Sequence, residues 1–425
     1  MQRMWSQWFQ TFATPRMSIV LLLGFFSGLP LALTASTLSA WLAESGVERA
    51  AIGLFAAVAT PYAFKFVWSP LMDGVRVPLL CARLGRRRSW LILIQLLLVG
   101  ALLLMGFINP AQTPIFTALA ALLVATCSAS QDIVIDAYRV ESLYPHEQGT
   151  GAAMATFGYR IGLLIAGAGS LWLADMFGWQ STYALMALIM SFGMVLTLII
   201  KEPAHPEIDA PMAAAESASL KQFIRRYVIA PLRDMATRPY WGAILCFIIL
   251  YKLGDAFMGV MFNPFLLDIG FSKTEIAAVV KVYGLIATLL GAFAGGAVVA
   301  RFGMYRALLV CGFLHMITNL FMVIQAKLGA HLTFLAVSIS LENFTGGMGT
   351  AAFIAYLSAL CKVNYTATQY ALLSSLAAFG RTWLSTPSGF VADALGWQGF
   401  FITSTLLGLP SLLLLWWLHK RVKWQ

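Results

Sequence analysis

A chain of 425 residues that is 60% hydrophobic and only 11% charged lies outside the range of soluble domains, which carry about 25% charged residues. Its mean hydropathy of +0.80 is that of a helical protein threaded repeatedly through a membrane. The net charge of +10 gives no case for a nucleic-acid partner, because the basic residues gather in alternate loops rather than on one patch.

Apolar runs of about 20 residues or more recur at about 17–43, 51–72, 89–108, 113–138, 150–175, 179–200, 240–267, 275–300, 304–326, 331–360, 367–393 and 397–419. The first is too long for the core of a cleavable signal and reads as the first span. Twelve spans put both termini on one side of the bilayer. Arg76, Arg83, Arg86, Arg87 and Arg88 fill the second loop, Arg139 stands in the fourth and Lys362 in the tenth. The opposite loops offer only Arg49, Lys273 and Lys327, so the termini and the even loops are expected in the cytoplasm.

One real linker, 201–239, carries Pro203, Pro206, Pro211, an Ala/Ser-rich patch at 213–219 and a basic segment suited to the membrane surface. It divides the chain into 1–200 and 240–425, expected to form one six-helix bundle each. The halves echo one another. Gly178-Trp179-Gln180 is matched by Gly396-Trp397-Gln398, Gly158-Tyr159-Arg160 by Gly380-Arg381, and Leu42-Ala43-Glu44 by Leu267-Asp268. The echoes keep the same order, so the repeat is parallel, six spans plus six, as in major facilitator transporters. The expected fold is all-α, with twelve transmembrane helices in two bundles around a central cavity.

Between spans two and three, Asp73 is followed by Gly85-Arg86-Arg87-Arg88. An acid followed by Gly and basic residues in this loop resembles the major facilitator signature, which can pair charges across the half-interface and bias one gate. Taken singly, each arginine also fits plain topology. The second half keeps the basic part, Arg301 to Arg306, without the acid.

Ionisable residues inside apolar spans stand out. The cations are Lys65, Arg160, Lys252, Lys281 and Arg381; the anions are Asp132, Asp136, Asp255 and Glu342. A carboxylate at mid-membrane costs about 2.5–3.5 kcal/mol on insertion scales. Asp132 and Asp136 are one helical turn apart and share a face, so that face is expected to look into a bundle or a wet cavity. Lys252 and Asp255 also share a face, and prolines 61 and 70 bend the stretch around Lys65. Each of these residues has a plainer reading as a structural ion pair or as an interfacial residue that snorkels. The cations suit an anionic cargo. The carboxylates suit proton coupling, since a low-dielectric cavity favours their neutral form and one proton crossing 100 mV supplies about 2.3 kcal/mol. Tyr62, Trp68 and Tyr251 lie near the same levels and could stack on sugar rings; core packing is their plainer role.

Five cysteines stand far apart with no metal spacing, and the five histidines are scattered, so no metal or other cofactor is expected. No phosphate loop, HExxH or GxSxG motif occurs, which argues against ATP drive and against an enzyme.

Several stretches together resemble the AmpG muropeptide permeases, a branch of the major facilitator superfamily. They are GFFSGLPLALT at 24–34, FKFVWSPLMD at 64–73, SASQDIVIDA at 128–137, GYR at 158–160, YKLGDAF at 251–257, Glu342-Asn343 with GGMGT at 346–350, and ATQ at 367–369. The resemblance runs over about 16–415. It implies proton-driven import of N-acetylglucosaminyl-1,6-anhydro-N-acetylmuramyl peptides across the bacterial inner membrane, for peptidoglycan recycling and, where the host has one, induction of a β-lactamase. On that reading the peptide carboxylates meet the cations, and the sugars meet the aromatics, Gln131 and Asn343; the chain is expected to work as a monomer. Some family members carry extra helices after the twelfth span, whereas this sequence ends at Gln425. Such helices are therefore dispensable for the core activity, or this member differs in regulation. A carrier of acetyl-coenzyme A or another anionic metabolite, and a muropeptide sensor that does not transport, are the alternatives.

Overall fold

The first helix shows how this sequence builds a bundle and why its helices are broken. Thr14 accepts a hydrogen bond from the Met17 backbone N–H, and Pro15 needs no partner at the first helical position, so α1 (Pro15–Thr34) starts there. Pro30 then removes one N–H from inside the helix, and the chain breaks at Ala35 before α2 (Ser36–Glu44). The computed structural model describes residues 14–47, 55–203, 220–276, 279 and 283–421.

The next stretch is cut by its prolines into a 3₁₀ turn Phe55–Ala59, a short helix Thr60–Phe64, a 3₁₀ turn Lys65–Val67 and α3 (Ser69–Gly74). Three long helices follow: α4 (Arg86–Phe107), α5 (Pro114–Ser142) and α6 (Gln148–Leu164). A π-helical turn, Ile165–Gly169, leads into α7 (Ser170–Ile199). A short helix, α8 (Ala230–Ala236), precedes the second half. That half comprises α9 (Trp241–Leu250), α10 (Leu253–Asp268), α11 (Gly284–Phe302), α12 (Met304–Leu328), α13 (Leu332–Ala359), α14 (Thr366–Leu384), α15 (Ser388–Leu406) and α16 (Leu409–His419).

By length and apolarity, eight helices qualify as spans among the described residues, or nine if Leu332–Ala359 and Val363–Leu384, bent by 98°, count as one. The expected twelve are not reproduced by this count, for physical reasons. Pro61 and Pro70 leave no piece of the second expected span long enough. Gly178 (φ 77°) and Gly396 (φ 63°) kink α7 and α15 in a left-handed conformation that only glycine adopts cheaply; the run Pro145–Ile199 carries the fifth and sixth expected spans together, and the tenth and eleventh qualify only as the bent pair.

These two kinks join the echoed sequence motifs. Beside Gly178, the Trp179 indole N–H donates to Glu44 Oε2 at 2.9 Å; beside Gly396, the Trp397 indole donates to Asp268 Oδ2 at 2.5 Å. The same bond thus stands at the same place in each half, at what is called here the far end of the bundle. The end that carries Arg86–Arg88, Arg139 and Lys362 is the basic end.

Within the first half α1 and α6 meet backbone to backbone. Gly24 and Gly28 lie against carbonyls of Ala155 and Tyr159, and Gly158 and Gly162 against those of Leu21 and Phe25, where any Cβ would clash. Buried apolar side chains such as Leu98, Tyr183 and Met190 fill this half; a separate core with Phe247, Tyr356 and Leu415 fills the other. The halves touch where α6 packs on α11, with Phe157 and Phe293 rings 5.2 Å apart, and where α14 packs on α3 and α5.

Candidate transport site

Between the halves lies a cavity of about 290 Å³. From the first half α1 contributes Ser27, α5 contributes Asp132, Asp136 and Arg139, and α6 contributes Tyr159 and Arg160. From the second half come Thr350 and Ile354 of α13 and Tyr370 of α14. The carboxylates of α5 therefore face a cavity rather than lipid.

Asp132 accepts a hydrogen bond from the Ser27 hydroxyl at 2.5 Å. Asp136 is held more loosely, 4.0 Å from Lys65 Nζ and 3.5 Å from the Arg139 guanidinium. The proline-bounded 3₁₀ turn delivers the buried Lys65 to this spot. Arg160 and Arg381, one from each half, are exposed and make no ion pair among the described residues, and Tyr159 interacts electrostatically with both. The cavity thus holds Arg160, which has no ion pair among the described residues, beside two carboxylates, and Arg381 stands outside its lining.

The second half builds its own charged cluster where α9 and α10 break at Lys252. Lys252 Nζ donates to Asp255 Oδ2 at 2.8 Å and to the Gly346 carbonyl at 3.4 Å. His315 of α12 contacts the other Asp255 oxygen through Nε2 and Thr345 Oγ1 through Nδ1 at 3.0 Å. Glu342 accepts from Asn343 at 2.9 Å, and Asn343 accepts from Thr288 at 3.0 Å.

A third constellation closes the basic end. Arg87, almost fully buried, donates to Asp73 Oδ1 at 2.8 Å and to both oxygens of Glu141; Arg86 reaches Glu141 at 3.3 Å. Asp73 also crosses to the other half, accepting the first-turn N–H groups of α14 at Ala367 (3.3 Å) and Thr368 (2.8 Å) and the Thr368 hydroxyl (2.7 Å). It acts as an N-cap supplied by another part of the chain, with its charge on the positive end of the helix dipole. Arg139 adds a second crossing, to Ser358 Oγ at 3.1 Å and over the Tyr370 ring at 5.3 Å. Behind the latch, burial would raise the Asp234 carboxyl, but hydrogen bonds from Lys362, Arg238 and Gln369 hold it below its ordinary range.

The Major Facilitator Superfamily sequence pattern matches residues 20–265 and 248–424. The chain is 41% identical to the anhydromuropeptide permease of Escherichia coli strain K12 over 96% of its own length and 81% of that protein's. It is 38% identical to transporter AmpG 4 of Rickettsia felis, over 96% of this chain and 97% of that one. The chain belongs to the AmpG permease branch of the major facilitator superfamily. Solved structures agree on the fold: the human organic anion transporter MFSD10 superposes with a TM-score of 0.71 at 15% identity, covering 95% of this chain and 100% of that one. The Escherichia coli fucose:proton symporter FucP gives 0.69 at 15%, covering 94% and 98%. The protein is thus a multi-pass membrane transporter, and its relatives are permeases rather than enzymes.

In this AmpG-family chain the residues singled out by sequence are sorted by their partners. Asp132, Asp136, Lys65 and Arg160 gather at the central cavity, and Lys252, Asp255, Glu342 and Asn343 around His315. Gln131 spends its amide on the Phe26 carbonyl at 2.8 Å, the acceptor that Pro30 leaves without its helical donor. The Tyr251 hydroxyl donates to the Leu308 carbonyl at 3.0 Å while its ring stacks on Phe353. Trp68 donates to Ser130 Oγ at 3.0 Å, and Tyr62 packs against the first-half core. Arg88 turns away from the other half to the Thr197 and Leu198 carbonyls, at 2.9 and 2.6 Å. Lys281 lies outside the described residues. Two residues escaped the sequence reading. Arg139 looked like a loop charge but lines the cavity, and His315 looked like one of five scattered histidines but bonds Asp255.

Proposed function

We propose that the chain is a proton-coupled importer of anhydromuropeptides, carrying N-acetylglucosaminyl-1,6-anhydro-N-acetylmuramyl peptides from periplasm to cytoplasm. One observation carries the reading: a cavity between the halves holds two carboxylates beside Arg160, with Arg381 of the other half, which makes no ion pair among the described residues, in electrostatic range of the same Tyr159. A stem peptide brings carboxylates for the guanidinium groups, which bind such groups bidentately. The relative named as an anhydromuropeptide permease supports the cargo. Asp132, with Ser27 as its neutral partner, is the coupling carboxylate of the first half; Asp136, tied to Lys65 and Arg139, passes charge toward the latch.

The reading extends to placement. The chain crosses the bacterial inner membrane twelve times as two bundles, 1–200 and 240–425, with the basic end and both termini in the cytoplasm. The contacts of Asp73 and Arg139 then close the cytoplasmic gate, and Arg86 and Arg87 brace it. The protein works as a monomer, and in a host with an inducible β-lactamase its cargo feeds induction.

The test is uptake of radiolabelled anhydro-disaccharide tripeptide into proteoliposomes, with and without an inward proton gradient. Accumulation that requires the gradient is expected. Uptake that only equilibrates removes the coupling, and none at all with folded protein, against uptake of coenzyme A esters, replaces the cargo.

A further inference from the structure

We propose that His315 and Asp255 together hold the exchangeable proton of the second half, which makes His315 a proton-carrying residue of the transport cycle. The inference rests on the proton-coupled reading above and adds to it the group that carries the charge.

The Thr345 hydroxyl has one hydrogen and three oxygens in reach of it: the Leu341 carbonyl at 3.0 Å, the Glu342 carbonyl at 3.1 Å and, at 2.8 Å, the Thr318 hydroxyl, which itself reaches the His315 carbonyl at 2.9 Å. Assigning that hydrogen to one of these oxygens leaves the Thr345 oxygen as an acceptor 3.0 Å from His315 Nδ1, and Nδ1 then carries a hydrogen. The other ring nitrogen, Nε2, meets Asp255 Oδ1. An imidazole lone pair and a carboxylate oxygen repel unless a hydrogen stands between them. The pair therefore holds one proton, whether it is written as imidazolium with carboxylate or as imidazole with carboxylic acid. Removing it leaves a lone pair against a carboxylate and releases the contact between α12 and α10. Charge state and helix contact are thereby linked, which is what a coupled transporter needs.

The surroundings fit. Lys252 fixes the second Asp255 oxygen at 2.8 Å, so the carboxylate cannot turn away from the ring while that bond holds. The ring rests against Gly346, where a side chain would crowd it. Among the described residues, the charged groups that reach His315 are Asp255 and Lys252 from the α9–α10 break and Glu342 from α13, while α15 and the start of α16 offer hydroxyls such as Ser404 and Ser411. A polar cavity of about 30 Å³ beside the pair, lined by Asn319 and Ser404, has room for about one water to accept the proton.

The test uses the full chain in proteoliposomes, with radiolabelled anhydro-disaccharide tripeptide and the membrane potential clamped to zero. At one proton per cargo, a one-unit inward pH gradient supports up to about tenfold accumulation by the wild type. His315→Asn is expected to accumulate nothing above equilibration while still exchanging labelled for unlabelled cargo at equal pH. Gradient-driven accumulation by His315→Asn overturns the inference and leaves the proton-coupled reading standing; absence of gradient dependence in the wild type overturns that reading itself. If His315→Asn loses exchange as well, Thr345→Val decides. Losing the Nδ1 acceptor moves the pH midpoint of accumulation if His315 carries the proton, and an unchanged midpoint overturns the proposal.

Discussion

In the first half Asp132 and Asp136 stand on one helix and face the central cavity, Asp132 held by the neutral Ser27 hydroxyl at 2.5 Å and Asp136 no closer than 3.5 Å to a cation; in the second, Asp255 is gripped at both oxygens by Lys252 and His315. Both clusters sit in apolar helices, where a buried charge is costly unless it is paired. The difference lies in who balances the charge. The first cluster leaves unneutralised capacity in the cavity, where a cargo can complete it. The second completes itself, and only a proton changes its sum. On the proposed function, cargo completes the cations of the first half, and on the further inference a proton switches the second.

Substitutions can break or sharpen this contrast. The largest effect is expected from Asp132→Asn, which keeps the Ser27 contact but removes the charge. Proton-driven accumulation should vanish in flux assays while exchange at equal pH survives; wild-type accumulation would remove Asp132 from coupling. Next come Arg160→Ala and Arg381→Ala. Each deletes one charge-assisted contact to cargo, about 1.5–3 kcal/mol, so each should weaken binding of the anionic tripeptide by roughly 10- to 100-fold in a competition assay. The same loss for the uncharged disaccharide would make these arginines structural.

The latch is one-sided, because Asp73 has no acidic counterpart before Arg301. Asp73→Ala removes three cross-half hydrogen bonds and a partner of Arg87. Spin labels at exposed Arg83 and Arg306 should then report a longer distance across the basic end, with the population ratio shifted by about tenfold or more. A smaller effect tests the scaffold. Gln131→Ala should cost about 1–3 kcal/mol by orphaning the Phe26 carbonyl, and much less in a Pro30→Ala background, where residue 30 again donates to that carbonyl. Additive losses in melting experiments would separate the two residues. Smallest are Trp179→Phe and Trp397→Phe, each losing one exposed hydrogen bond of about 0.5–1.5 kcal/mol, and by nearly equal amounts if the halves are equivalent there.

What could be read from sequence follows the range of the interaction that decides it. Apolar runs and the one-turn spacing of Asp132 and Asp136 are local, so the membrane class and the cavity-facing side of Asp132 were legible. Lys252 with Asp255 was legible because one helical turn brings them together. His315 was not, since a lone histidine in an apolar helix has no local pattern and its partners come from two other helices. Gln131 looked like a cargo ligand because the carbonyl it serves is orphaned by a proline on a different helix. Arg139 reads as a loop charge and Arg160 as an intramembrane cation; packing makes the first a strut to Ser358 and leaves the second at the cavity with no ion pair among the described residues. Twelve spans are not confirmed by counting uninterrupted helices, because prolines cut the second expected span into short pieces and the run through Gly178 carries two spans at once.

The paired indole–carboxylate bonds have a historical consequence. Glu44 with Trp179 and Asp268 with Trp397 make the same bond beside the same left-handed glycine, although one acid is longer than the other and the sequences around them have drifted apart. A half-length ancestor that already carried this fastening accounts for both copies at once. The rim of each half is fastened alike, while their middles differ, with carboxylates at an open cavity in one and a histidine against an aspartate in the other.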